Sequence, residues 1–201
     1  MIRARKLILI VIAAGCFGVV TSLLKGQGGG VRLAFGNISA PWLLVAFLAG
    51  TQYRRLRYAA LAGLLATLAA LLGFYAEQSP LVELGSRSGD FIANPAGAFD
   101  FLVSAHSVYF LGGVVIGPIF GLLGGIWGQR RSRLAAGAVA LAFVCEPVVV
   151  WALGGGVGNA GLVSGYLGLA LAEAAIGIAG AVLIFSRTHA SRGHESVALE
   201  R

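Results

Sequence analysis

The stretch GGVVIGPIFGLLGGIWGQRRSR, residues 112–133, decides how this chain is read. Seven of its first seventeen residues are glycine, a poor helix former, and Pro118 sits in the middle. The rest is apolar and closes on an arginine cluster. Gly113, Gly117, Gly121 and Gly125 recur every four residues, which on a helix is a single stripe. In hydrocarbon no hydrophobic drive brings helices together, so close backbone packing must do it. The propensity cost shrinks where every backbone group has to be bonded internally anyway. The stretch therefore reads as a membrane helix, packed along its glycines, kinked near Pro118, and forming the packing centre of a bundle.

The whole chain follows the same pattern. Of 201 residues, 58% are hydrophobic and 11% charged, against about 25% charged in a soluble domain. The apolar residues fall in blocks at 7–24, about 39–53, 58–76, 101–128, 135–154 and 161–185. This predicts an all-α, polytopic bundle of about six transmembrane helices over residues 1–186. A polar, disordered cytoplasmic tail is expected at 187–201, with His189 and His194 solvated. Residues 7–24 are long for a signal peptide and are read as a retained anchor.

The net charge of +7 follows topology. Twelve basic residues lie in four groups: Arg3, Arg5 and Lys6; Arg54, Arg55 and Arg57; Arg130, Arg131 and Arg133; Arg187, Arg192 and Arg201. With six spans these share one side, while the other receives only Lys25, Arg32 and Arg87. That bias predicts cytoplasmic termini and argues against a nucleic-acid partner. The connections around RRLR and RRSR are short, so the helices on either side of each should be antiparallel neighbours.

The segment KGQGGGVRLAFGNISAP, residues 25–41, is unusual. Ser39-Ala40-Pro41 resembles a helix start, and from Pro41 to Tyr53 there is only about 20 Å of helix. Either the helix starts near Leu33 and kinks at Pro41, or residues 31–40 enter the membrane as irregular backbone. A half-length helix of that kind points to a binding site through its free N–H groups.

Three ionisable residues fall inside spans: His106, near one interface beside Tyr109, and Glu146 and Glu173 at middle depth. The last two spans are joined by a short loop and should pack antiparallel, which puts the two carboxyls within about one helical turn of each other along the axis. Like charges in low dielectric would force at least one of them to hold a proton. Glu173 shares a four-residue spacing with Gly161, Gly165 and Gly177, the small-residue stripe that should face other helices. Pro147 frees the carbonyl of Phe143 beside Glu146. Trp42, Trp151 and Asn159 lie toward the outer ends of their spans and, with Asn37 in the loop before Pro41, are candidate pocket residues. Cys16 and Cys145 read as small apolar residues. No spacing suggests a catalytic triad, a phosphate loop, metal ligands or a cofactor, so the chain is not read as an enzyme.

With APWLLVAFLAGT (40–51) and GPIFGLLGGIWGQ (117–129) in view, the chain resembles a family of small actinobacterial multi-pass membrane proteins of unassigned activity. That resemblance implies a bacterial plasma membrane and a helical fold. More loosely, the chain is similar to the substrate-binding subunits of energy-coupling-factor transporters. This second resemblance implies an outward pocket beneath the loops at 25–40, 77–100 and 155–160. It also implies a docking pair of alanines on the first helix, where this chain has Ala14 and Gly18.

Two functional readings result. One is a solute-binding or transport-related protein with an outward pocket for a small molecule or ion, bounded by Asn37, Trp42, Glu146 and Glu173, with His106 near its rim. The other is a structural or assembly protein, a closed glycine-packed bundle that meets the lipid bilayer, a second copy or another membrane protein.

Overall fold

In the computed structural model, residues 4–25, 32, 38–78, 95–152 and 166–198 are described, and the regular elements among them are α-helices. These are α1 (Ala4–Lys25), α2 (Ala40–Thr51), α3 (Leu56–Gln78), α4 (Pro95–Ala105), α5 (Ser107–Arg130), α6 (Arg133–Ala152) and α7 (Leu167–Ala198). Four stretches are long and apolar enough to cross a membrane: Ala4–Lys25, Leu56–Tyr75, Ser107–Arg130 and Leu167–Phe185. Their outer faces expose Ile8, Leu9 and Ile12 on α1, Val115 and Ile119 on α5, and Leu171 and Ile178 on α7. Such surfaces are a liability in water and ordinary solvation in hydrocarbon.

The first half of the molecule packs backbone against backbone. Ala59, Ala62, Ala66 and Ala70 of α3 are completely buried, three or four residues apart along one face. Helix α1 lies against the Ala70 end of that face so closely that a methyl group on Gly18 would collide with the carbonyl of Ala70. On the other side, Gly113, Gly117, Gly121 and Gly125 of α5 are all buried and turned to α3. A Cβ at Gly121 would stand 2.5 Å from the Ala59 carbonyl oxygen. Gly124 and Gly128 turn to α2 instead, where Gly124 meets the carbonyl of Phe47. Six of the seven glycines of the 112–128 stretch therefore let α2 and α3 approach α5 at backbone distance. The packing centre is α3 and α5 together rather than α5 alone.

Both short connections form. Residues 52–55 join α2 to α3, and Arg131 and Ser132 join α5 to α6. Arg131 adopts the left-handed conformation (φ 49°, ψ 34°), donates its N–H to the Trp127 carbonyl at 2.8 Å, and lays its guanidinium over the Trp127 ring. Stacking on an aromatic face and a helix-closing hydrogen bond help offset a conformation unfavourable for a residue with a Cβ.

Two expectations need correction. The predicted continuous helix over 101–128 is broken at His106, which leaves the helical region (φ −117°, ψ 24°) between α4 and α5. Its imidazole stacks on Tyr75 of α3 with ring centroids 3.8 Å apart, a contact that holds the break in place. The His106 carbonyl then accepts from Tyr109 and Phe110 to restart the helix. At the other end, α7 continues through Ala198, so residues 187–198, expected as a disordered tail, have helical backbone. Extending an existing helix through Ala, Ser, Arg and Glu is far easier than nucleating one.

Gly121→Ala should destabilise the protein by about 1–3 kcal/mol in detergent unfolding titrations, because the new methyl meets a fixed carbonyl. Gly112, whose added Cβ would meet nothing within 4 Å, should accept alanine without loss and gain up to about 1 kcal/mol.

Candidate functional site

Helix α2 is 12 residues long, or about 18 Å, well short of a bilayer's hydrocarbon core of about 30 Å. It begins at Ala40 with Pro41 in its first turn, and Ile38 and Ser39 lie outside it. A continuous helix from Leu33 kinked at Pro41 is therefore set aside. Proline in the first turn costs nothing there, since its missing N–H would have had no partner within the helix. The Trp42 and Leu43 amides turn back to the Ser39 carbonyl at 3.0 and 3.4 Å. The Ser39 side chain makes no capping bond. That leaves the amides of Ser39 and Ala40.

Both are taken by one side chain from α6. Glu146 Oε1 accepts the Ser39 N–H at 2.5 Å and Oε2 accepts the Ala40 N–H at 2.6 Å. A carboxylate thus caps the positive end of the α2 dipole with both oxygens, from more than a hundred residues away in sequence. Glu146 lies thirteen residues along α6 from Arg133, so the start of α2 sits about 20 Å from the arginine-bearing end of the bundle.

Helix α7 brings the second carboxyl to the same place. Glu173 is only 3% exposed and neighbours Glu146, yet neither of its oxygens has a hydrogen-bond partner among the described residues. One turn on, a Cβ at Gly177 would be 2.8 Å from the Ala140 carbonyl, so α7 rests almost on the α6 backbone. One turn back, Leu169 packs on the cluster of Ile38, Ala40, Phe47 and Phe143.

On the other side of the α2 start is a cavity of about 210 Å³ between α2, α3 and α5. Ser39, Trp42, Thr67, Tyr75, Tyr109 and Gly112 are among its lining residues, and its wall is mainly apolar. Trp42 is held edge-on between Phe17 and Phe74, with ring centroids 5.4 and 5.2 Å away. Thr67 donates its hydroxyl to the Gly63 carbonyl at 2.9 Å, which leaves the oxygen free to accept.

The structure thus brings together Glu146 and Glu173, and separately Trp42 with the cavity. Of the four residues expected to bound one polar cavity, Trp42 lines this one and Glu146 and Glu173 do not, while Asn37 lies outside the described residues. The carboxyls sit behind the α2 start, and Ser39 is the residue common to both places, with its amide on Glu146 and its position in the cavity wall. His106 reaches the cavity only through its stack on Tyr75. Asn37, Asn159, Gly161 and Gly165 lie outside the described residues, as does the side chain of Trp151. Cys16 and Cys145 are free and exposed. No group of three or more metal-ligating side chains occurs among the described residues.

Sequence reasoning missed Ser39, Thr67, Tyr75 and Lys25. Lys25, buried at the end of α1, lies over the Phe74 ring at 5.0 Å. A lysine closing an apolar span beside an aromatic-rich helix end was the available signal. No family model, curated protein or solved structure matches the chain.

The two glutamates should respond oppositely to substitution. Glu146→Ala leaves two amides without an acceptor and should cost about 2 kcal/mol or more in detergent unfolding. Glu173→Met removes a buried group that has no donor and should stay within about 1 kcal/mol of the parent.

Proposed function

We infer that this chain is an integral membrane protein that binds or transports a small solute. Helices α2 and α6 bring the four longer apolar helices to six membrane segments in all. The twelve-to-three distribution of basic residues favours cytoplasmic termini. Bacterial plasma membrane, with the bilayer itself as the main partner, is the location this reading carries.

The cavity beside the α2 start is the observation that supports solute binding. It lies at the end of the bundle opposite the arginine clusters, among the last turns of α3 and the first of α5. On the charge argument that end faces outward, in keeping with the looser similarity to transporter substrate-binding subunits. The wall suits a small molecule with an apolar, ring-like body and one polar group. Trp42 and Tyr75 would cover the ring, and the Thr67 and Tyr109 oxygens would meet the polar group. This reading involves binding and not catalysis, and requires no cofactor.

The second reading, a structural or assembly protein that associates with another copy or another membrane protein, draws on one observation. The glycines of α5 are used almost entirely in contacts within the chain. A bundle packed that tightly needs no ligand to be useful.

Gly112 separates the two, since it lines the cavity and has room for a side chain. With benzyl alcohol as the first probe, saturation-transfer NMR on the protein in lipid nanodiscs should show binding that Gly112→Phe reduces at least tenfold. Equal signals from parent and variant would favour the structural reading.

A further inference from the structure

Glu146 and Glu173 meet at the α6–α7 contact, and among the described residues the spans packed there, α2, α6, α7 and α5 short of its terminal Arg130, supply no cation. Helix α2 has no ionisable side chain between Ala40 and Thr51. Between Arg133 and Ala152, α6 has only Cys145, which is turned outward, and Glu146. Between Leu167 and Phe185, α7 has only Glu173.

Counting donors and acceptors assigns the rest. Each Glu146 oxygen already receives a backbone N–H. A protonated carboxyl there would set its own O–H against one of those donors, so the arrangement suits a carboxylate. Glu173 is buried to 3% exposure with both oxygens unpartnered. A second carboxylate at this point would be a desolvated negative charge with no donor, facing another negative charge. A neutral carboxylic acid has one O–H to give, and Glu146 is the acceptor beside it.

We propose that Glu146 and Glu173 form a one-proton pair, with the proton on Glu173 and the charge on Glu146, and that this proton is the exchangeable cation of the protein. Its release breaks only the Glu173 O–H bond and passes the proton to water. The two carboxylates then repel, and Glu146 is drawn off the Ser39 and Ala40 amides. Because Ser39 is also part of the cavity wall, the proton controls the shape of that wall. Sodium fits less well: a hard cation needs several oxygen ligands, and both oxygens of Glu146 are already occupied by N–H groups. The pair stands on its own geometry, and only its use as a coupling ion rests on the transport reading.

The test is infrared spectroscopy of the full chain in lipid nanodiscs at pH 7, reading the protonated-carboxyl stretch. One band is expected, moved by ¹³C-glutamate labelling, shifted in D₂O, and indifferent to exchange of potassium for sodium. It should vanish in Glu173→Gln and change frequency, without vanishing, in Glu146→Gln. The labelling assigns the band to glutamate even if a variant does not fold. Absence of the band in the parent protein would overturn the pair, as would a band that sodium abolishes or one that never exchanges with D₂O. Solute binding is read separately at Gly112. A protein that shows the band and binds no solute would keep the pair and lose the transport reading.

Discussion

A helix that begins inside hydrocarbon must find acceptors for its first amides, because no water is there to supply them. In this protein the amides of Ser39 and Ala40, at the start of α2, both donate to Glu146, which reaches them from α6. Much of the architecture follows from that contact. It ties the α6–α7 pair to the glycine-packed half of the molecule at the start of α2, beside the apolar packing of Phe143 and Leu169 on Ile38, Ala40 and Phe47. It also fixes the non-helical backbone of Ile38, which is buried, and Ser39, which is exposed, and both residues line the cavity. The α2 N-terminus would otherwise be an open anion site; Glu146 fills it with the protein's own carboxylate.

The two halves of the molecule are held by different physics. In α1, α2, α3 and α5, alanine and glycine faces meet at backbone distance, which rigidifies the assembly through many small dispersion contacts. The α6–α7 pair packs closely at Gly177 and carries the two carboxyls, Glu146 on the amides of the α2 start and Glu173 buried. The aromatic set around Trp42, Phe74, Tyr75 and His106 belongs to the rigid side.

What could be read from the sequence depended on periodicity. The glycine stripe of α5, the small residues Ala14 and Gly18, and the tight turns at the arginine clusters are local patterns, and each has its place in the packing. The nearness of Glu146 and Glu173 was also legible, because counting residues back from the sequence break between two neighbouring helices gives their relative depth. The break at His106 was not, since nothing in FLVSAHSVYF interrupts the apolar pattern and the stacking partner, Tyr75, lies on another helix. Nor was the separation of the carboxyls from the cavity. Depth along an axis follows from counting residues, but direction around the axis depends on how α6 is rotated against α2, which only the assembled bundle determines.

The most direct measurement of the central contact is amide hydrogen exchange at Ser39 and Ala40, followed by NMR on the ¹⁵N-labelled protein in nanodiscs. Both amides should exchange as slowly as those within α2, and both should become fast in Glu146→Ala while the amides of α3 stay protected. Fast exchange at both positions in the parent protein would mean that Glu146 does not hold the helix start, and the account built on that contact would be wrong.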